Sequence, residues 1–242
     1  AESTPTFEQK MANLKIMGGD ADVDNFLKTT RSNIQDLEAA VVELKAKAVK
    51  DKFEETFIYG DSSSNAKQFD GLRKLIDTTT ASDQVIAMGD TGATLTLSKL
   101  DELIDAVKGG KPDMLIMSRR SRRKINALVR AAGGLVESDR DQWGNFVQLW
   151  DGIPIGVNDW ILDTHTVSGG VETGTTGGDC STIYAVQFGE WALCGLTAPG
   201  GLTVEPIGSM ESKDATRTRV KWYVSLALFS SVKAAALIGV KD

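Results

Sequence analysis

Arg217-Thr218-Arg219-Val220-Lys221-Trp222-Tyr223-Val224-Ser225-Leu226-Ala227 decides the reading of this chain. Val220, Trp222, Val224 and Leu226 occupy every second position, so a long strand over Arg217 to Phe229 is predicted with one buried face. Trp222 and Tyr223 are consecutive, so one of them must face outward, which makes Trp222 a candidate contact with a neighbouring molecule. Ala234 to Val240 follows as an unbroken apolar run and reads as a second, closing strand.

Upstream, Ile183 to Phe188 and Leu202 to Ile207 read as strands. Between them and the preceding elements, Thr166 to Ser181 is rich in Gly and Thr without apolar periodicity, and a mobile surface loop is expected there. Asn145 to Trp150 and Ile153 to Val157 flank Asp151-Gly152, a pair that tolerates the positive φ of a two-residue hairpin. Before that, strands over Val85 to Met88 and Met114 to Met117 alternate with helices over Ser98 to Lys108 and Ser121 to Ala132. Gly109-Gly110 and Gly133-Gly134 are predicted to end those helices. Phe69-Asp70-Gly71-Leu72 leads into a short helical turn that ends near Thr78.

The longest helix is predicted over Asn33 to Ile58, opened by a capping box at Ser32-Asn33-Ile34-Gln35. Ile34, Leu37, Val41, Leu44 and Ala48 form one stripe, followed by Phe53 and Phe57. At 1.5 Å per residue the helix would be roughly 39 Å long, a spine for so small a protein. Its stripe covers only about two to three heptads and ends in Phe, which favours packing on a sheet over a coiled-coil dimer. Thr6 to Ile16 reads as a strand with a frayed end, stopped at Gly18-Gly19.

The 242 residues, 41% apolar and 25% charged, suffice for a full-sized core. A net charge of -6 argues against a protein whose main partner is a nucleic-acid backbone. The two cysteines, Cys180 and Cys194, give neither a disulfide framework nor a metal clip, and a reducing interior is the default compartment. No apolar stretch is long enough to cross a bilayer, and the first residues lack the pattern of a signal peptide. The sequence starts at Ala1 rather than Met, and removal of an upstream segment is expected.

Candidate chemistry is sparse. His165, the only histidine, could pair with Asp163 and Ser168 as a triad, but no nucleophile motif accompanies it, and an exposed loop histidine is the preferred reading. One His and two distant Cys build no metal site. The glycines between 169 and 178 lack the Lys-Ser/Thr ending of a phosphate loop. Arg119, Arg120, Arg122, Arg123, Lys124 and Arg130 form the densest charge cluster. A solvated helix face whose arginines pair with acidic residues of the same or an adjacent chain is preferred to a nucleic-acid helix, because aromatic interleaving is absent. No catalytic, cofactor-binding or metal residue is assigned, and no cofactor.

Arg217 to Ala227 followed by Ala234-Ala235-Ala236-Leu237-Ile238-Gly239-Val240-Lys241-Asp242 resembles the C-terminal signature of Hong Kong 97-type capsid proteins of tailed bacteriophages. Lys52-Phe53-Glu54-Glu55-Thr56-Phe57-Ile58-Tyr59-Gly60-Asp61, with Phe69-Asp70-Gly71-Leu72, resembles the end of that family's spine helix and the loop after it. Trp150-Asp151-Gly152-Ile153-Pro154-Ile155 resembles a turn of its axial domain. Tyr184-Ala185-Val186-Gln187-Phe188-Gly189-Glu190 resembles the strand and glycine turn that follow. The pieces stand in the family's order and the likeness runs from about Phe7 to Asp242.

The resemblance implies an α+β fold of mixed sheet and helices with a peripheral and an axial domain. Residues 1–19 would be a remnant of the extended loop, 20–82 the peripheral domain with its spine helix at 33–58, and 83–200 the axial domain. Residues 201–230 would return to the peripheral domain and 231–242 would close the axial one. It also implies a non-enzymatic shell subunit that assembles into hexamers and pentamers of an icosahedral capsid around DNA, in the host cytoplasm and then the virion. Scaffold, portal or decoration proteins would be further partners, packaged DNA a weak and non-specific one, and a membrane none. Phe7, Lys10, Arg119, Arg120, Arg123 and Trp222 are the candidate contacts between subunits. The family's usual N-terminal arm and first extended-loop strand have no counterpart, and its lysine cross-link is not carried over to Lys10 or Lys15. An encapsulin shell is the alternative, and an α+β enzyme a more distant one.

Overall fold

The computed structural model describes residues 9, 11–31, 36–135, 137–140 and 144–242. Strand β1 (Lys15–Asp24) leads through the short helix α1 (Asn25–Arg31) to the long helix α2 (Leu37–Tyr59) and the turn of helix α3 (Leu72–Ile76). Next come β2 (Val85–Ala87), β3 (Ala93–Thr94), α4 (Leu97–Ala106), β4 (Met114–Met117) and α5 (Arg119–Ala131). The hairpins β5 (Ser138–Arg140), β6 (Phe146–Trp150), β7 (Ile153–Val157) and β8 (Thr166–Ser168), β9 (Val171–Gly174) follow. The chain then runs through β10 (Ser181–Val186), β11 (Leu193–Thr197), β12 (Thr203–Ser209), β13 (Ala215–Leu228) and β14 (Ala234–Lys241).

Two sheets organise these elements. In the first, β13 is the centre: β1 pairs along one side of it, β11 and β12 along the other, all antiparallel. The second has the order β2-β14-β10-β4-β7-β6-β5, with β3 also on β14. It is mixed, because β14 runs parallel to β2 and β4 parallel to β7, while β10 is antiparallel to both its neighbours. Helices α4 and α5 cover one face of this sheet; α3, the end of α2 and the first sheet cover the other.

Cover on both faces explains the apolar runs. In β14, Ala235, Leu237 and Val240 enter the core under α4 and α5, whereas Ala234, Ala236 and Ile238 enter the core shared with the first sheet. In β10, Ile183 and Ala185 point one way and Tyr184 and Val186 the other. A strand buried on both faces needs no polar alternation. β13 alternates over its first part, burying Thr218, Val220 and Val224 and exposing Arg219 and Tyr223, but from Val224 to Leu228 it too is buried on both faces. Each fully buried aliphatic side chain contributes about 1.5–3 kcal/mol, so the two cores dominate the stability of the fold.

Several predicted elements sit where expected: β4, the β6–β7 hairpin, α3, β10, β13 and β14. Asp151 and Gly152 have φ of 51° and 74°, the positive values their turn demands. The long helix packs on β1 and β13, as a sheet-packed spine would. Phe53 stacks against Trp222 with ring centroids 4.8 Å apart, and also against Phe57 and Phe69.

Other expectations need correction. The helix α2 is capped by Asp36, whose carboxylate accepts from the N–H groups of Glu38 and Ala39, while the capping box at 32–35 lies outside the described residues. Its buried side is Val49, Thr56 and Ile58 rather than the Leu37-Val41-Leu44-Ala48 stripe, and Leu44 is 65% exposed. Helix α4 ends at Val107, whose N–H bonds back to Ile104, two residues before the glycine pair. Gly18-Gly19 does not stop β1; the strand continues to Asp24. A side chain at Gly18 would meet the Val220 carbonyl oxygen at 2.1 Å, so the glycine is there to let β1 approach β13. Residues 166–174 of the expected loop form the β8–β9 hairpin, with Val167 and Glu172 buried, while 175–179 form no strand. Helix α1 and strands β3, β5 and β11 carried no sequence signal that was read.

Gly18→Ala is expected to lower stability by about 1–3 kcal/mol through this backbone clash, read as a lower urea midpoint. Gly195→Ala, in β11 with open space at its Cβ position, is expected to change little.

Candidate functional site

Under the β8–β9 hairpin lies a polar cluster assembled from distant segments. His165 is fully buried, which corrects the expectation of an exposed loop histidine. Its backbone bonds both ways with Cys180, and its ring lies between the end of α2 and the start of β10. Tyr59 Oη is 2.6 Å from His165 Nε2, and Leu162 N–H donates to the same oxygen at 2.8 Å. The Glu172 carboxylate beside Nδ1 can only accept, which favours a ring proton on Nδ1, and in that tautomer Tyr59 donates its hydroxyl hydrogen to Nε2. Nδ1 lies 3.0 Å from Thr182 Oγ1 and 3.4 Å from Glu172 Oε1.

Glu172 is fully buried and fully occupied: Arg73 Nε donates to it at 2.7 Å and Thr78 Oγ1 at 2.9 Å, while its own N–H bonds to the Thr78 carbonyl. The Glu172 carboxylate and the Arg73 guanidinium thus neutralise one another where an isolated charge would be costly, and the His165 ring adds polar contacts beside them. Of the two residues that could pair with His165 as a triad, Asp163 turns away to accept from Ser118 at 2.7 Å and to face Arg120, and Ser168 is exposed on β8. His165, Glu172, Thr78 and Thr182 are buried while Tyr59 and Arg73 are partly exposed, and the cluster ties the hairpin to α2 and α3. Tyr59, Arg73 and Glu172 were not singled out from the sequence. The one available signal was a lone glutamate in a Gly/Thr-rich stretch.

The candidate contacts are dispersed rather than gathered into one site. Arg119 forms a bidentate pair with Asp159. Arg120 turns inward, donating to the Asp179 and Val240 carbonyls at 2.7 and 3.2 Å. Arg123 is exposed and makes no ion pair among the described residues. Trp222 lies on the other side of the molecule, half-buried beneath α2, with its indole N–H donating to Thr197 Oγ1 at 3.0 Å. Tyr223 is the member of the pair that faces out. Phe7 and Lys10 lie outside the described residues.

On the outer face of the first sheet, β1 and β13 form a ladder of opposite charges in direct register, Asp20 with Arg219 and Asp22 with Arg217, and Lys213, just before β13, also pairs with Asp22. Their hydrogen bonds to Arg219 and Arg217 hold Asp20 and Asp22 below the usual carboxylate range. Burial lowers the His165 pKa below 6.5, the Glu172 charge opposing it, and pushes the Tyr59 and Tyr184 hydroxyls up.

These shifts give stability two pH windows. As pH falls below 6.5 the unfolded histidine takes up a proton that the folded one resists, so stability falls until the lowered folded value is passed. Asp20 and Asp22 contribute above 3.8, and that contribution is lost as pH falls below it toward their folded values. The urea midpoint is therefore expected to drop in two steps, and His165→Gln to abolish the upper one, since the chain has no other histidine. An upper step retained by that variant would contradict this assignment.

The sequence pattern of the family described as SU10 major capsid protein matches residues 9–237. No curated protein sequence matches the chain significantly. Among solved structures, the chain is similar to a chain of the holo-SrpI encapsulin complex from Synechococcus elongatus PCC 7942, with a TM-score of 0.73 at 20% identity over 94% of this chain and 74% of that one. It is also similar to the capsid of the native GTA particle, with a TM-score of 0.64 at 14% identity over 98% and 76% of the two chains. The capsid of Myoviridae Phage XM1 gives 0.61 at 16% identity over 94% and 74%. At these identities the likeness shows a shared fold, and it is the fold that the C-terminal strands implied. With the family pattern spanning nearly all of its length, the chain belongs to the SU10 major capsid protein family and is a capsid subunit with the Hong Kong 97 fold.

Proposed function

We propose that this subunit builds an icosahedral bacteriophage or prophage shell from hexamers and pentamers, and that the shell encloses DNA. The observation that carries the reading is the family match over residues 9–237, joined to a structure whose two sheets share one C-terminal segment. The role is that of a building block rather than an enzyme, and assembly takes place in the host cytoplasm. Scaffold, portal or decoration proteins are further partners in this reading, and contact with packaged DNA is weak and non-specific.

The domain division follows the sheets. The peripheral domain comprises β1, α1, α2, α3 and the β11–β13 region; the axial domain comprises the second sheet with α4 and α5, closed by β14. In this division β11 joins the peripheral side, although it lies within residues 83–200, because it pairs with β13. Phe7, Lys10, Arg119, Arg120, Arg123 and Trp222 remain the proposed contacts between subunits, with Arg123 the one whose charge is free among the described residues.

An encapsulin-type shell is the second reading, and the likeness to the Synechococcus elongatus encapsulin favours it. Its contents would distinguish it: a cargo enzyme instead of nucleic acid. Electron microscopy of the purified protein at rising concentration is expected to show closed shells, rings or tubes. A chain that stays monomeric by sedimentation up to millimolar concentration would contradict the shell reading.

A further inference from the structure

Helices α4 and α5 lie on the same face of the second sheet and carry opposite charge. α4 exposes Asp101, Glu102 and Asp105 on its outer side. α5 reads Arg-Arg-Ser-Arg-Arg-Lys-Ile-Asn-Ala-Leu-Val-Arg-Ala, with six basic residues and no acidic one. Beside α4 a groove of about 440 Å³ is closed by the β5–β6 hairpin. Carboxylates of Asp101, Asp105 and Glu137 stand around it, over a floor of Ile104, Val129 and Trp150. Leu135 at its rim is 93% exposed, an apolar side chain with no cover.

The two patches do not satisfy each other within the chain, since no ion pair joins α4 to α5 among the described residues. Asp105 has no side-chain partner there. Arg123 and Arg130, seven residues apart, stand exposed on the same side of α5 with no carboxylate partner among the described residues, Arg130 donating only to the Asn126 carbonyl. The Arg122 Nε atom is buried with no hydrogen-bond partner. The groove lies between α4 and the end of α5, whose Val129 forms part of its floor, while the stripe runs along the outer, exposed side of α5. Two surfaces of opposite charge that face different directions on one subunit describe a head-to-tail contact, the kind that closes a ring when the rotation allows it.

We propose that the acidic groove beside α4 receives the basic stripe of α5 from a second copy of this chain, and that this contact sets the register of neighbours around a capsomer. The proposal rests on the shell reading above and adds to it a specific pair of surfaces. Charge complementarity of this kind selects partner and register more than it adds affinity, so the remaining interface area must come from other surfaces.

Charge reversal tests it through the arithmetic of rings. Asp105→Lys with Glu137→Lys reverses two of the groove's carboxylates, so that groove and stripe repel; Arg123→Glu with Arg130→Glu reverses the two unpaired, exposed charges of the stripe, so that it repels an unaltered groove. All four side chains are exposed, and circular dichroism checks that each variant folds. Each variant alone is expected to assemble at least tenfold less than the unaltered chain at equal concentration. Mixed in equal amounts, the two can alternate, so six-membered rings, sheets or tubes return. Closed shells do not, because a five-membered ring cannot alternate. A single chain carrying all four changes is expected to recover closed shells.

Assembly of both variants at the unaltered level would overturn the proposal, as would failure of both the mixture and the four-fold variant to recover. If the Arg123/Arg130 variant assembles normally but loses DNA retained at low salt, the stripe serves nucleic acid and the contact is overturned. Should the unaltered chain itself never assemble, the shell reading fails separately. The contact is then judged by sedimentation of the mixed variants at low salt, where absence of a mixed complex counts against it.

Discussion

Every strand of the first sheet is hydrogen-bonded to β13, and to no other strand of that sheet. The constraint follows from length and position: β13 spans 14 residues, enough to pair β1 along one side and β11 and β12 in succession along the other. Without it there is no template for any of the three. Its buried face supplies Val224, Leu226 and Leu228 to the core that the end of α2 and the second sheet share. A turn of 3-10 helix at Ser231–Lys233 then delivers the chain to β14, which pairs with β2, β3 and β10 in the other sheet. One segment of the chain is therefore central to both sheets.

Around that segment the polar interactions divide by environment. The Asp20–Arg219 and Asp22–Arg217 pairs are on the surface, where salt and water weaken them, and their main effect is to fix the β1–β13 register. The Glu172–Arg73–His165 cluster is buried, where removal of one member leaves another uncompensated. Its place beneath the β8–β9 hairpin makes an otherwise weak element, two short strands rich in Gly and Thr, part of the packed structure. A shell subunit needs such rigidity, because contacts of modest strength add up only when each surface keeps its place.

What the sequence disclosed was local. Alternation marked β13, double-sided apolar runs marked β4, β10 and β14, and Asp151-Gly152 marked its hairpin, because each signal is contained within a few residues. What it concealed depended on remote partners. His165 is buried by Tyr59 and Thr182, 106 and 17 residues away, and Glu172 by Arg73, 99 residues away. Gly18 reads as a stop unless the β13 backbone beside it is known. Phe53 and Phe57 of the α2 stripe do meet the core, but its first part was misplaced, because Val49 rather than Leu44 is buried and apolar periodicity alone does not identify which of two adjacent stripes faces the sheet. The acidic groove was missed for the same reason: Asp101 and Asp105 are ordinary helix-surface residues until the β5–β6 hairpin is placed beside them.

Native-state hydrogen exchange of the folded protein addresses the central role of the C-terminal segment most directly. If β13 and β14 hold both sheets together, their amides open only with global unfolding and form the slowest-exchanging set, spanning both sheets with one common free energy. Exchange of β13 through a separate, lower-energy opening while β14 stays protected would show that the two sheets are independent, and would contradict the account.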